Sequence, residues 1–348
     1  MAKFTLSLNG PLINIPSNLY KRGFDYVSRY RLIAEIIVRY SDKINKPKSI
    51  LDVGGRGTLL TELLDIPIHV LDAEDDDPSV EELGDGSDMN NIKDGSYDAV
   101  VTSDTLEHIP QKDRANFIKE LFRVSNDLVI LCAPFGDHGA AGEEHKVHNL
   151  YTAFMGKKHR WLTEHADFIL PREKETSTLF NSLSKSYISF GHTDVRIYRQ
   201  ILSAVLTANE VGGKLLNVAS KVNEFYNKNL TFNDFSTNSY RTFFIASKKH
   251  NLSLVIEDDQ RFISGDNALE LSEILQDFYD EIIVDPMLIP SVSHRALEAK
   301  QESDRLERQY KDIINSRSWR YTSGLRGLYK HMRFIQNIFR RIRRHVTK

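Results

Sequence analysis

Asp52 and Asp72 stand twenty residues apart, and Gly54, Gly55 and Gly57 follow the first of them in "SILDVGGRGTLL". Glycines at a strand-to-helix turn let backbone N–H groups approach a ligand closely and adopt conformations closed to other residues. An acid some twenty residues on, at the end of the next strand, can accept both hydroxyls of a ribose. Together these residues fit an adenosine-containing cofactor. Asp52 narrows the choice, because a carboxylate at the strand tip would repel the pyrophosphate of a dinucleotide. It would instead attract the α-ammonium and sulfonium of S-adenosylmethionine. No Gly-Lys-Ser/Thr follows the turn, so a phosphate-binding loop is a poor match.

A second set of residues has the chemistry of proton transfer. His138, Glu144, His145 and His148 lie in "FGDHGAAGEEHKVH", which reads as a loop after a buried strand. Glu107-His108 and Glu164-His165 are two further acid–histidine pairs. A histidine or carboxylate of this kind suits a general base for a hydroxyl nucleophile, although each taken singly also suits a surface or structural role. There is no His-Glu-x-x-His, cysteine cluster or carboxylate spacing that argues for a metal, so the expectation is metal-independent chemistry. The single cysteine, Cys132 in "LVILCAP", reads as a small core residue and excludes an internal disulfide framework.

The elements that must position these residues alternate. Residues 26–44 show apolar positions at helical spacing, "SILDV" and "IHVLDA" read as buried strands around the glycine turn, and "YDAVVTS" and "DLVILCAP" flank the helical "QKDRANFIKELFRVS". Such βαβ alternation predicts a doubly wound, Rossmann-like α/β sheet. Beyond Phe135 the pattern loosens into aromatic and histidine-rich segments with a helix near 199–227. Late strands follow in "YRTFFIASKK" and "LSLVIED".

In this order the segments resemble class I S-adenosylmethionine-dependent methyltransferases. The resemblance implies that Asp52, Gly54, Gly55, Gly57 and Asp72 hold the cofactor. It implies that "GDGSDM", with Asp85, Asp88 and Met89, meets the adenine, and that Ser103 and Asp104 in "VVTSDTLEHIP" lie near the methionine part. Arg56 departs from the family, where most members have glycine. The block from Leu128 to Pro171 resembles a bacterial methyltransferase group associated with surface-polysaccharide (O-antigen or capsule) biosynthesis. That resemblance implies O-methylation of a sugar hydroxyl on a lipid-linked glycan, with His145, Glu144, His108, His165 and His138 as candidates for the base. A small-molecule, RNA or protein methyltransferase and a non-catalytic scaffolding module remain as alternative readings. "SDTLEH" replaces the Asn/Asp-Pro-Pro-Phe/Tyr motif of amino methylation, which disfavours base and amide nitrogen targets.

The expected organisation is a methyltransferase domain over residues 1–265, with a substrate cap at roughly 136–240. A helix over 266–293 and a charged helix over 294–315 would follow, then a basic tail over 316–348. Ala296, Ala299, Ser303, Leu306, Tyr310 and Ile313 form a thin heptad seam suited to a short coiled coil and a homo-oligomer. From residue 316 on there are ten Lys or Arg and no acid, against a net charge of −2 for the whole chain, so the preceding part carries about −12. "SWRYTSGLR" resembles an element that follows coiled coils in bacterial glycan glycosyltransferases and their associated methyltransferases. Leu325, Leu328, Met332, Ile335, Phe339, Ile342 and Val346 then make an apolar stripe between basic residues. That pattern favours an anionic membrane surface first, a glycosyltransferase or other polysaccharide-assembly partner second, and nucleic acid last. With no signal-peptide core and no spanning segment, the expected place is the cytoplasmic face of the membrane.

Overall fold

The computed structural model describes residues 3–44, 46–74 and 77–315. Strand β1 (Lys3–Ser7) and helix α1 (Phe24–Lys43) open the chain. The sequence then alternates β2 (Ile50–Val53), the one-turn helix α2 (Leu60–Leu63), β3 (Ile68–Asp72), β4 (Glu82–Leu83) and β5 (Tyr97–Ser103). Helix α3 (Arg114–Val124) leads directly into β6 (Ser125–Pro134). Three helices follow, α4 (Ala140–Met155), α5 (Arg160–Phe168) and α6 (Glu173–Leu183), before β7 (Ser186–Asp194). The remainder is α7 (Val195–Val211), α8 (Lys214–Phe225), β8 (Ser239–Ser247), β9 (Asn251–Val255), α9 (Gly265–Val284) and α10 (Pro290–Asn315).

Seven strands form one sheet in the order β4-β3-β2-β5-β6-β8-β7. The pairs from β4 to β6 are parallel, and β8 runs antiparallel to both β6 and β7. This is the Rossmann-like α/β sheet that the βαβ alternation predicts. β1 and β9 pair in parallel as a separate two-stranded sheet.

Parallel strands covered on both faces read as continuous apolar runs, and alternate side chains serve opposite layers. Ile50 and Val101 face a layer built with Val27, Ile33, Ile37 and Tyr40 of α1. Leu51, Val53 and Val100 face the other layer, with Phe117, Ile118 and Leu121 of α3 and Phe180 of α6. Cys132 is buried, as expected for a small core residue. A third cluster joins α7, α8 and α9 to Val147 of α4 and Leu162 of α5, and forms a helical cap.

Several sequence expectations change. The stretch expected as a cap contains β7, a strand of the main sheet, so the cap consists of helices on either side of it. The helix near 199–227 is two helices, because Gly212 and Gly213 take φ of +77° and +60° between them. The segment after β6 is a short turn and then the 16-residue helix α4. Leu271, Leu275 and Phe278 of α9 are buried in the cap, and the compact unit runs on to Pro290, past the boundary expected at 265. The helix is interrupted by a turn at Pro286–Leu288, so α10 begins at Pro290 in place of a helix from 294. α10 belongs largely to a second unit, and Leu306 and Tyr310 of its heptad seam are exposed. Among the described residues no helix is long and apolar enough to cross a membrane. The basic tail over 316–348 lies outside the described residues.

Candidate functional site

Strand order reverses between β2 and β5, and in open α/β sheets ligands bind beyond the carboxyl ends of the strands at such a switch point. Asp52 sits there, fully buried, and neither of its carboxylate oxygens has a hydrogen-bond partner. Burial pushes its pKa up to about 6, although the nearby Thr58 hydroxyl, Arg29 and the Tyr30 hydroxyl all pull the other way. The glycine turn closes around this acid. A Cβ on Gly55 would lie 2.2 Å from Asp52 Cγ, and one on Gly54, at φ +73°, would lie 2.2 Å from Thr105 Oγ1. A buried, unpartnered carboxylate is costly unless a cation completes it.

At the end of β3 the Asp72 carboxylate accepts from the backbone N–H groups of Arg56 (3.3 Å) and Glu74 (3.1 Å). It therefore holds the turn as well as facing the strand ends. Arg56, the departure from the family pattern, pairs with Glu74, which also binds Arg160 at 3.2 Å. In the next loop Asp85 accepts from Ser87 N–H at 2.8 Å, and both Asp85 and Asp88 are exposed. Gly86 between them is buried, since a Cβ there would meet Phe117 at 2.6 Å. Met89, expected at the cofactor, belongs to the core layer with Leu71 and Phe117, and its backbone N–H and C=O are taken by Glu120 and Arg123.

Ser103 ends β5 with a buried, unpartnered hydroxyl. Asp104 follows with φ +51°, a left-handed conformation rare outside glycine. Its carboxylate is held by Arg241 of β8 (Nε 2.7 Å) and by Arg29 of α1. Burial alone would raise its pKa, but the two guanidinium groups hold it well below the usual carboxylate range. Asp104, expected near the methionine part of the cofactor, is thus already neutralised by two arginines. Sequence reading missed both arginines. Arg241 was the visible signal, a charge inside the uniformly buried strand "SYRTFFIAS".

The proton-transfer candidates separate into two groups. His138 pairs with Glu173 at 3.0 Å, apart from the other histidines, and His145 is exposed on α4. His148 bonds weakly to Thr163 at 3.5 Å. Glu144, one residue from His145, turns inward, because neighbouring positions on a helix face directions about 100° apart. There Glu144 accepts from His165 Nδ1 at 2.8 Å and from the Tyr240 hydroxyl at 2.5 Å. His165 Nε2 faces His108 Nε2 at 3.3 Å, and His108 Nδ1 reaches Glu164 at 3.2 Å. The fold therefore joins the two Glu-His pairs, 57 residues apart, into one chain of groups with Glu144 and Tyr240. Beside it, Glu107 is buried with Oε2 unpartnered, and burial followed by the Asp104 charge raises its pKa to about 8.

A family model described as a methyltransferase domain matches residues 63–131, which run from the end of α2 to within β6. A search of the curated proteins finds no match. Among solved structures, the chain is similar to an S-adenosylmethionine-dependent methyltransferase from Archaeoglobus fulgidus. Their identity is 15%, the TM-score is 0.38, and the likeness covers 63% of this chain and 94% of that one. It is also similar to the magnesium protoporphyrin IX methyltransferase of Synechocystis with bound S-adenosylhomocysteine, at 15% identity and TM-score 0.38, over 65% of this chain and 86% of that one. The methyltransferase-domain model thus matches a stretch that lies within the Rossmann-like sheet, from the end of α2 into β6.

Proposed function

We propose that the chain transfers a methyl group from S-adenosylmethionine to a sugar hydroxyl of a bacterial surface polysaccharide. One observation carries the cofactor assignment: the buried, unpartnered carboxylate of Asp52 at the switch point, wrapped by the glycine turn. Its lone pairs suit an α-ammonium, and its raised pKa would fall once that cation neutralised it. Asp72 has acceptor capacity beyond its two backbone bonds for the ribose hydroxyls. The exposed Asp85 and Asp88 side chains would meet the adenine edge, and the unpartnered Ser103 hydroxyl would serve the amino-acid end.

When bound, S-adenosylmethionine supplies a methyl group on a sulfonium, and in-line transfer breaks the S–CH3 bond as the O–CH3 bond forms. A sugar hydroxyl is a weak nucleophile near neutrality, so the protein must align it and take its proton. In the metal-free chain, an Nε2 lone pair of His108 or His165, in the joined cluster with Glu144, is the best-supported acceptor of that proton. The exposed His145 is not retained, and His138, bound to Glu173, is not needed.

The polysaccharide assignment is supported by the resemblance of residues 128–171 and by the basic, apolar-striped tail. In the proposed arrangement that tail rests on the cytoplasmic face of an anionic membrane beside glycosyltransferases. Incubating the full chain with methyl-labelled S-adenosylmethionine and either lipid-linked glycan or RNA tests the substrate. Label entering the glycan supports the reading, and label entering RNA alone refutes it. Sedimentation with anionic vesicles should depend on residues 316–348, and equal sedimentation without them would refute the membrane part.

A further inference from the structure

We propose that Glu107, His108 and His165 form a binding site for a divalent transition-metal ion of the zinc type, ligated by the Glu107 carboxylate and by Nε2 of both histidines. His108 Nδ1 contacts Glu164 at 3.2 Å, and His165 Nδ1 contacts Glu144 at 2.8 Å. A carboxylate only accepts, so each Nδ1 carries the proton and each neutral ring presents a lone pair at Nε2. Those two lone pairs face each other at 3.3 Å. Two lone pairs cannot share that gap without a positive ion between them, which is either a proton or a metal.

Three features favour the metal. Two nitrogens bound at about 2.05 Å on a tetrahedral ion stand about 3.3 Å apart, which is the separation found here. The third ligand is already present, because the Glu107, His108 and His165 ligand atoms all lie within 4.8 Å of one another. Glu107 is also buried, and its Oε2 has no other partner. A bridging proton would leave that oxygen unsatisfied, whereas a metal would complete it. Finally, a carboxylate holding the distal nitrogen of each ligating histidine is the usual outer support of a metal site. The Tyr240 hydroxyl in turn holds Glu144.

Sequence spacing did not reveal this set, since residues 107–108 and 165 come from separate segments. The set of two histidines and one carboxylate leaves a fourth position for water or a substrate oxygen. The site stands whether or not the chain transfers methyl groups, so its test does not use activity.

The full chain, stripped with a chelator and returned to buffer, is titrated with Zn2+ and separately with Co2+. One equivalent should bind, Co2+ should develop the visible absorption of a four- or five-coordinate nitrogen–oxygen site, and Zn2+ should raise the melting temperature. His165→Gln and Glu107→Gln should abolish the Co2+ spectrum. Glu164→Gln keeps all three ligands on a partly exposed support and should weaken Zn2+ binding about 10- to 100-fold. His145→Gln, on the exposed face of α4, should bind like the parent. Failure of the folded parent chain to bind an equivalent of either ion overturns the proposal, as does a Co2+ spectrum unchanged in His165→Gln and Glu107→Gln. If His165→Gln fails to fold, the Glu164→Gln affinity decides the matter, and an unchanged value overturns it.

Discussion

Replacing Asp52 with asparagine should stabilise the cofactor-free protein while weakening its hold on S-adenosylmethionine. The carboxylate is buried without a hydrogen-bond partner, and its pKa is raised from the ordinary 3.8 to about 6, chiefly by burial. A rise of that size corresponds to roughly 3 kcal/mol of lost stability at pH 7. The sign follows from proton binding. Between pH 4 and 6 the folded chain holds the Asp52 proton more tightly than the unfolded chain does. The contribution of this group is therefore complete below pH 4 and is lost as pH rises through 6. An asparagine amide is itself poorly satisfied there and returns part of the gain, so a net stabilisation of about 1–2 kcal/mol is expected. For a unit of this size that is a few degrees in melting temperature. The same substitution removes a charge-assisted contact to the α-ammonium, worth about 1.5–3 kcal/mol, or roughly 10- to 150-fold in affinity. Scanning calorimetry without ligand and isothermal titration with S-adenosylmethionine measure the two effects on one preparation. An Asp52→Asn protein that melts at or below the parent temperature and binds the cofactor equally well would refute the reasoning.

Other substitutions probe neighbouring parts of the account. Gly55→Ala puts a Cβ 2.2 Å from Asp52 Cγ, and should cost about 1–3 kcal/mol in urea denaturation and at least tenfold in cofactor affinity. Arg241→Met removes one of the two cations neutralising Asp104, and with Arg29 remaining the loss should be about 3 kcal/mol by urea denaturation. Asp234 accepts from the Asp194 N–H and the Tyr226 hydroxyl, both at 2.9 Å, and burial raises its pKa to about 7. Its contribution is lost as pH rises through 7, so the parent should lose more stability than Asp234→Asn between pH 5 and 8. Phe278→Ala should destabilise the whole compact unit by about 3–5 kcal/mol, and no change in the melting transition would mean that α9 is not part of it.

The sheet was legible because its central strands are buried on both faces. "ILDV", "VVTS" and "LVILCAP" are apolar runs, and the glycine turn marks the end of the first. β7 escaped notice because "SYISFGHTD" is polar over much of its length, and the sheet's last strand does not need a continuous apolar run. α4 reads as a loop because Gly142, His145 and His148 interrupt the apolar pattern in its first nine residues. Its helical logic lies in Ala140, Glu144, Val147, Tyr151 and Met155, which share the buried face. Asp52 and Asp72 could be singled out because their neighbours in sequence are also their neighbours in space. The partners of Asp104 could not, since Arg29 and Arg241 reach it from 75 and 137 residues away. The meeting of His108 and His165 across 57 residues is equally a product of tertiary structure, which brings α5 against the turn after β5.

The central claim is that the β2–β5 switch point holds S-adenosylmethionine through Asp52. A structure of the full chain with S-adenosylhomocysteine, the product that keeps the ammonium, the ribose and the adenine, tests it most directly. The α-ammonium should lie within hydrogen-bond distance of the Asp52 carboxylate, the ribose hydroxyls on Asp72, and the adenine at the Asp85–Met89 turn. A ligand bound elsewhere, or one bound here with its ammonium turned away from Asp52, would contradict it.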